Sequence, residues 1–279
     1  MQPNRVKYTM GYVCVNLKDY CSYRIGSSAN AFFVDSYDKA ISAYHKKMPM
    51  VGLGSKILFG KVDRVAIMRL KGVLFDGDRV FAQAGVPLPH LAYLCRRRGL
   101  SGLEWACGIP GSVGGAVKMN AGAFGKCISD CLESVTVCDG DIKTVPKQKL
   151  FMAYRSGVTG CIVLGCVFKC SFGCEQKIYQ KMRFYAEARR TRQPQGFSCG
   201  SVFVASQKPA GWYIDNAGLK GVREGGAEIS QKHANFFLNC GTASASDVKR
   251  LINRAKQKVY EVYKVNLHEE IIYIGEFND

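Results

Sequence analysis

The sequence has little proline and no long apolar run. Only 8 of its 279 residues are proline, so its 30 glycines do not come from a low-complexity segment. No stretch approaches the roughly 18 consecutive apolar residues that a membrane span needs. The N-terminal segment also lacks the apolar core of a signal peptide, because Asn16, Lys18 and Asp19 interrupt it. We therefore expect a soluble protein of the cytoplasm with no membrane partner.

Acidic residues are few compared with basic ones. The chain has 39 Lys and Arg against 22 Asp and Glu, a net charge of +17. This balance favours anionic partners such as nucleic acid, acidic membranes or phosphate-bearing small molecules. No run reaches about five like charges, and no platform of aromatic and basic residues is present. We therefore expect no nucleic-acid partner, although the charge alone does not decide the function.

The thirteen cysteines contain no CxxC pair. Their densest group is Cys161, Cys166, Cys170 and Cys174. Most of this segment is predicted to be a strand, where Cys166 and Cys170 would lie roughly 13 Å apart. One zinc ion with bonds of about 2.3 Å cannot reach both sulfur atoms. We therefore expect buried free thiols and no metal site.

The length predicts two domains, at roughly 100–200 residues per domain. Apolar periodicity and turn residues predict a mixture of helices and strands. Ser244 and Asp247 have the spacing of a capping box at the start of a helix. The predicted helices are 38–47, 88–98, 175–192 and 248–263, and the predicted strands are 65–70, 79–85, 133–139, 161–170 and 269–277. A Gln-Pro-Gln-Gly stretch after 192 suggests the boundary, which gives domains 1–192 and 193–279.

Two glycine-rich segments carry most of the functional information. Residues 52–55 lack the third glycine and the following helix of a Rossmann dinucleotide motif. Residues 108–125, predicted as a long loop, contain no Walker A pattern. Their glycines let backbone N–H groups converge on an anion, Pro110 restricts one φ angle, and Ser112 adds a hydroxyl group. A pyrophosphate site is the favoured interpretation, and a strained connector is the alternative.

Gly102–Glu104 and residues 108–125 resemble the flavin-binding segment of the UDP-N-acetylenolpyruvoylglucosamine reductases, which act in peptidoglycan precursor synthesis. Further similar segments follow one another in the family's order: 23–26, 52–59, 151–156, 198–203, 217–221, 225–227, 230–235 and 267–275. The similarity covers residues from about 18 to 276. The chain resembles the short subclass of this family, which lacks an inserted tyrosine-bearing loop.

The resemblance implies an α/β fold and a flavin reaction. Residues 1–192 would form a PCMH-type FAD-binding domain of the vanillyl-alcohol-oxidase type, with two subdomains. Residues 193–279 would form a smaller α/β substrate-binding domain. NADPH would reduce FAD, and the reduced flavin would pass hydride to UDP-N-acetylglucosamine enolpyruvate, giving UDP-N-acetylmuramate. We expect the enzyme to act as a monomer.

The reaction needs a cation at the substrate carboxylate and a proton donor for the enolate. The resemblance implies that Arg155 binds the carboxylate, that Ser201 donates the proton, and that Glu270 assists enol formation. The implied cofactor-binding residues are Arg24, Gly52, Gly54, Ser55, Lys56, Gly108, Pro110, Gly111, Ser112, Gly114, Gly115, Asn120, Ala121 and Gly122. The implied substrate-binding residues are Tyr154, Lys220, Lys232 and His233.

Two positions differ from the common pattern of the family. Lys56 stands where the family often has asparagine, and Val204–Ser206 replaces a run that commonly includes Lys-Asn-Pro. One alternative keeps the flavin fold in an FAD-dependent sugar or alcohol oxidoreductase. The combination of Arg155, Ser201 and Glu270 disfavours it, as does the lack of a histidine or cysteine for covalent flavin attachment near the first glycine segment. A basic nucleic-acid-binding protein is the second alternative.

Overall fold

The computed structural model describes residues 11–277, which fall into two compact units. The first unit comprises the residues up to Asn16 together with Ser28–Gly52 and Asp63–Lys181. The second unit comprises Leu17–Ser27, Leu53–Val62 and the residues from Met182 onward. Within the described range, none of the helices combines the length and the apolar character that a membrane crossing requires.

The described part of the chain contains both helices and strands. The strands are, in order, β1 (Tyr12–Asn16), β2 (Ser28–Val34), β3 (Met50–Val51), β4 (Ile57–Phe59), β5 (Arg64–Met68), β6 (Val73–Asp76), β7 (Arg79–Gln83), β8 (Leu100–Ser101), β9 (Gly122–Ala123), β10 (Lys126–Cys127), β11 (Leu132–Cys138), β12 (Ile142–Pro146), β13 (Ile162–Lys169), β14 (Ser171–Phe172), β15 (Arg223–Glu224), β16 (Ala227–Ile229), β17 (Phe237–Asn239) and β18 (Ile272–Ile274). The α-helices are α1 (Tyr37–His45), α2 (Leu88–Arg97), α3 (Val113–Lys118), α4 (Glu175–Arg192), α5 (Ala210–Asn216) and α6 (Ala245–Tyr263). Single 3₁₀ turns lie at Leu17–Tyr20, Glu104–Ala106, Ile128–Asp130 and Lys147–Lys149.

The first unit contains two principal sheets. One has the order β1-β2-β5-β3, with parallel pairing of β5 to both β2 and β3. The other is antiparallel, with the order β12-β11-β13-β7-β6. Helix α1 contacts strands of both sheets and buries Ala40 and Ala43, whose small side chains allow close packing.

Strand β13 is the central strand of the antiparallel sheet. Residues Ile162–Cys166 are all buried, on both faces of the strand. This explains why its sequence is a continuous apolar run rather than an alternating one. Cys166 and Cys170 are buried thiols, as expected from the sequence, and all thirteen cysteines are free.

The second unit is built around α6 and a small sheet. Helix α6 packs on α5 and on β15 and β16, and the apolar residues that it buries are Val248, Leu251, Ile252, Ala255 and Val259. Ser244 and Asp247 form the predicted capping box, with hydrogen bonds of 3.1 Å and 2.9 Å between side chain and backbone N–H. Strand β18 pairs in parallel with β4, so an early segment of the chain belongs to this unit.

Two expectations need correction. Residues 108–125 are not a continuous loop, because Val113–Lys118 form α3 with Ser112 as its N-cap. The last strand is only Ile272–Ile274, so Glu270 precedes the strand instead of lying inside it. The compact units also differ from a single division at residue 192, because the chain enters the second unit twice before its final stretch.

Candidate active site

The backbone N–H groups in the first turn of α3 already donate hydrogen bonds within the first unit. The N–H of Gly114 donates to the carbonyl of Ala84 at 2.9 Å, and the N–H of Gly115 donates to Ser112 Oγ at 3.3 Å. Val113 likewise donates to Val86, at 2.8 Å. The N–H groups of Val113, Gly114 and Gly115 are therefore not free to bind an anion.

The glycines of the first unit allow the backbone to pack closely. A Cβ at Gly52 would lie 2.4 Å from Ser112 Oγ, so the two glycine-rich segments touch here. A Cβ at Gly114 would lie 2.8 Å from the Cβ of Ala84. A Cβ at Gly115, which is exposed, would meet only Ser112 Oγ, at 3.5 Å. This open, side-chain-free surface fits a ligand that approaches the backbone, as a flavin diphosphate does.

Asn120 follows α3 and is buried with φ +42°. Its Nδ2 donates to the carbonyl of Ala153 at 2.9 Å, and its Oδ1 accepts from the N–H of Ser129 at 3.0 Å. Both ends of the carboxamide are therefore bound within the protein. The side chain of Asn120 holds the turn that carries Arg155.

Arg155 lies in a tight turn closed by two hydrogen bonds between Ala153 and Ser156, of 2.8 Å and 3.1 Å. Its backbone has φ +57°, a left-handed conformation that costs a residue with a Cβ about 1–2 kcal/mol. The guanidinium donates to the carbonyl of Gly122 at 3.1 Å and lies 5.0 Å from the ring centre of Tyr154. Tyr154 is itself exposed. Backbone strain of this kind is concentrated at functional sites.

The second unit brings Lys56, Ser201 and Glu270 together. The Nζ of Lys56 donates to the carbonyl oxygen of Ser201 at 2.6 Å. The same Nζ lies 3.2 Å from Oε1 of Glu270, whose side chain is only 7% exposed. Among residues 11–277, the hydroxyl group of Ser201 has no hydrogen-bond partner. It is therefore available to a ligand.

Two neighbouring segments hold Ser201 and Glu270 in register. The N–H of Val202 donates to the carbonyl of Asn235 at 2.8 Å, and the N–H of Glu270 donates to the carbonyl of Val202 at 2.7 Å. Asn235 was not among the predicted site residues, although it lies in one of the segments that resemble the family. Burial raises the pKa of the adjacent Cys199 thiol, and the positive charge of Lys56 opposes this rise.

Three predicted substrate-binding residues already have partners in the second unit. Lys220 forms an ion pair with Asp215 at 2.5 Å, and Lys232 donates to the carbonyl of Arg190 at 2.8 Å. The Nδ1 of His233 accepts from the N–H of Asn235 at 3.2 Å. Burial lowers the pKa of His233 below its ordinary value, which favours the neutral imidazole.

The predicted cofactor residues of the second unit lie in short, tightly packed segments. Arg24 forms an exposed ion pair with Asp19 at 3.2 Å. Gly54 has φ +64°, and a Cβ there would lie 2.0 Å from the carbonyl oxygen of Tyr20. Gly54 therefore cannot be replaced without moving the backbone, and Ser55 leads directly from it to Lys56.

Comparison with models of known protein families shows the class to which this chain belongs. Residues 38–145 match the model of an FAD-binding domain, and residues 193–274 match that of the C-terminal domain of UDP-N-acetylenolpyruvoylglucosamine reductase. By class, the chain is an FAD-binding oxidoreductase. The predicted fold, an FAD-binding domain of the vanillyl-alcohol-oxidase type with a smaller second domain, is confirmed.

Curated relatives bearing that name match most of the chain. One from Synechococcus sp. (strain JA-3-3Ab) is 40% identical over 243 residues, covering 82% of this chain and 78% of the relative. Another from Clostridium tetani (strain Massachusetts / E88) is 34% identical over 281 residues, covering 93% of this chain and 91% of the relative. The crystal structure of the enzyme from Thermus caldophilus matches with a TM-score of 0.81 and 35% identity, over 94% of this chain and 98% of that one. The chain belongs to the UDP-N-acetylenolpyruvoylglucosamine reductase family.

Proposed function

We propose that this chain reduces UDP-N-acetylglucosamine enolpyruvate to UDP-N-acetylmuramate, with NADPH as the electron donor and FAD as the hydride carrier. Membership of the family supports the overall reaction. The assignment of catalytic roles rests on the cluster of Lys56, Ser201 and Glu270. In this cluster one lysine contacts two predicted catalytic residues. FAD, when bound, supplies the hydride that reaches the enolpyruvyl carbon.

The two glycine-rich segments would hold the flavin. The N–H groups of Gly108, Gly111 and Ser112 are our candidates for the diphosphate, because the first turn of α3 uses its donors internally. Pro110 and Ala121 lie within the second of these segments, and we assign Arg24 to the cofactor as well. We assign residues 1–192 to flavin binding and residues 193–279 to substrate binding.

We assign to Arg155 the binding of the substrate carboxylate. Hydride addition to the terminal carbon leaves negative charge on the carbon next to that carboxylate and on its oxygens. A guanidinium stays charged and binds a carboxylate through two parallel hydrogen bonds. The strained turn holds Arg155 in a fixed backbone conformation before the substrate binds.

We assign to Ser201 the transfer of a proton to the enolate carbon. A serine hydroxyl is a weak acid, so it can protonate only a strongly basic group, and an enolate is one. Its lack of a partner among residues 11–277 leaves it able to donate. Glu270 is assigned the proton transfer that accompanies enol formation.

The UDP part of the substrate carries negative charge, and the second unit offers cations for it. We propose that Lys220 and Lys232 interact with the diphosphate and that His233 and Tyr154 contact the substrate. The net charge of +17 is consistent with anionic substrates. Lys220 would have to share its ammonium group with Asp215.

We also propose that the enzyme works as a monomer in the cytoplasm, without a nucleic-acid partner. Thirteen free thiols suit a reducing compartment better than an oxidising one.

The test is an absorbance measurement on the purified protein. A visible flavin band should bleach on anaerobic addition of NADPH and return on addition of the UDP-enolpyruvyl sugar, but not with free sugars or alcohols. Return of the band with a free sugar or alcohol alone would favour the alternative oxidoreductase. Absence of a flavin band after reconstitution with FAD would refute the proposed function.

A further inference from the structure

Lys56 directly follows the first glycine-rich segment, yet its ammonium group contacts Ser201 and Glu270. Its Nζ contacts the Ser201 carbonyl at 2.6 Å and the Glu270 carboxylate at 3.2 Å. The side chain is 23% exposed, so the ion pair is largely shielded from water. Charge interactions of this kind are stronger than those at an open surface.

The backbone around Lys56 keeps its ammonium group in this place. The carbonyl of Lys56 accepts from the N–H of Ile272 at 2.7 Å, which ties it to the start of β18, just after Glu270. Gly200 has φ +74°, and a Cβ at that position would lie 3.7 Å from the lysine Nζ. The turn before Ser201 thus passes close to the ammonium group.

We propose that Lys56 is a positioning residue that acts through both Ser201 and Glu270. Its hydrogen bond fixes the backbone from which the Ser201 hydroxyl projects, and its charge orients the carboxylate of Glu270. This inference rests on the proposed function, because it assumes that these two residues transfer the protons. It assigns to Lys56 a role different from the flavin contact that its position in the sequence implies.

The two roles of Lys56 have different kinetic consequences. A residue that positions Ser201 and Glu270 affects the step in which substrate reoxidises the flavin. It leaves unchanged the earlier step, in which NADPH reduces the flavin, and it leaves the flavin content unchanged. A lysine that bound the flavin would instead affect flavin retention and both steps.

The experiment compares K56M with K56R by anaerobic stopped-flow absorbance. Methionine keeps the length of the side chain and removes the charge, whereas arginine keeps the charge and can donate to both oxygens. In K56M we expect reoxidation by the UDP-enolpyruvyl sugar to slow about 10²-fold, because small displacements of reacting groups are costly. Reduction by NADPH should stay within about twofold of the wild type, and K56R should recover part of the lost rate.

Lys258 provides a matched control in the second unit. It forms a surface pair with Glu261 at 4.0 Å, and K258M should reoxidise like the wild type. If K56M reoxidised at the wild-type rate, or if reduction and reoxidation slowed equally, the proposed role of Lys56 would be overturned. Loss of flavin from both Lys56 variants would assign the lysine to the cofactor instead. A wild-type enzyme that does not turn over the UDP-enolpyruvyl sugar would refute the proposed function itself.

Discussion

The carboxamide of Asn235 makes two hydrogen bonds to the backbone of Phe203. Its Oδ1 accepts from the N–H at 2.9 Å, and its Nδ2 donates to the carbonyl oxygen at 2.8 Å. Both residues are buried, so water cannot replace these bonds. Phe203 lies two residues after Ser201, and the pair therefore fixes the segment from which the proposed proton donor projects.

Replacing Asn235 with alanine should lower the free energy of unfolding by about 3 kcal/mol, because it leaves a buried N–H and a buried C=O without partners. Urea denaturation measures this loss. N216A is the matched control. Asn216 makes an exposed hydrogen bond to the carbonyl of Trp212, so its replacement should lower the free energy of unfolding much less. Equal losses in N235A and N216A would contradict the structural role of Asn235.

Replacing Ser201 with alanine should separate the two half-reactions. Reduction of the flavin by NADPH should stay intact, because it does not involve the enolate. Reoxidation by substrate should slow by about 10²–10⁴-fold, since the proton donor is lost. Stopped-flow absorbance measures both rates on one sample. Similar slowing of both half-reactions would mean that Ser201 is not the proton donor.

Arg155 is expected to be sensitive even to a conservative change. In R155K the charge remains, but the two parallel donors are lost, so substrate turnover should fall nearly as far as in R155A. A near-normal rate of substrate turnover in R155K would show that Arg155 does not bind the substrate carboxylate. Since the backbone φ is +57°, R155G should be about 1 kcal/mol more stable than R155A in urea denaturation, although both should be inactive.

Local signals explain which parts of the fold could be predicted. Helix α6 has an apolar face with helical period and a capping box at Ser244 and Asp247, and both signals lie within the helix itself. Helix α3 has six residues, two of them glycine, so it shows no period and was predicted as loop. Its contacts with a distant segment carry no local signal: Gly114 packs closely against Ala84, and its N–H donates to the carbonyl of Ala84 at 2.9 Å.

The cluster of Lys56, Ser201 and Glu270 could not be predicted from spacing. Lys56 and Ser201 are 145 residues apart, and they meet because an early segment pairs with the last strand of the chain. Similarity of motifs pointed to Ser201 and Glu270 separately. Nothing in the local sequence around Lys56 showed that its charge would face them rather than the cofactor.

His233 should make stability depend on pH. Burial lowers its pKa from the ordinary value of 6.5 in the folded protein, so the unfolded chain binds the proton more readily. The contribution of the neutral imidazole is present above pH 6.5 and is lost as the pH falls from there through the lowered pKa. H233N keeps an acceptor for the Asn235 N–H but does not titrate. Between pH 8 and pH 5, urea denaturation should therefore show a smaller loss of unfolding free energy in H233N than in the wild type. The same dependence on pH in both proteins would contradict this role of His233.

Gly114 and Gly115 are neighbours in α3 that should respond oppositely to alanine. In G114A the new methyl group collides with Ala84, so the protein without flavin should lose about 1–3 kcal/mol of stability. In G115A the methyl group meets only Ser112 Oγ at 3.5 Å, and loss of a helical glycine should leave stability unchanged or raise it by up to about 1 kcal/mol. If the open surface at Gly115 receives the flavin, G115A should nevertheless bind FAD more weakly in a fluorescence titration. Unchanged FAD affinity in G115A would show that the flavin does not approach the backbone at this turn of α3.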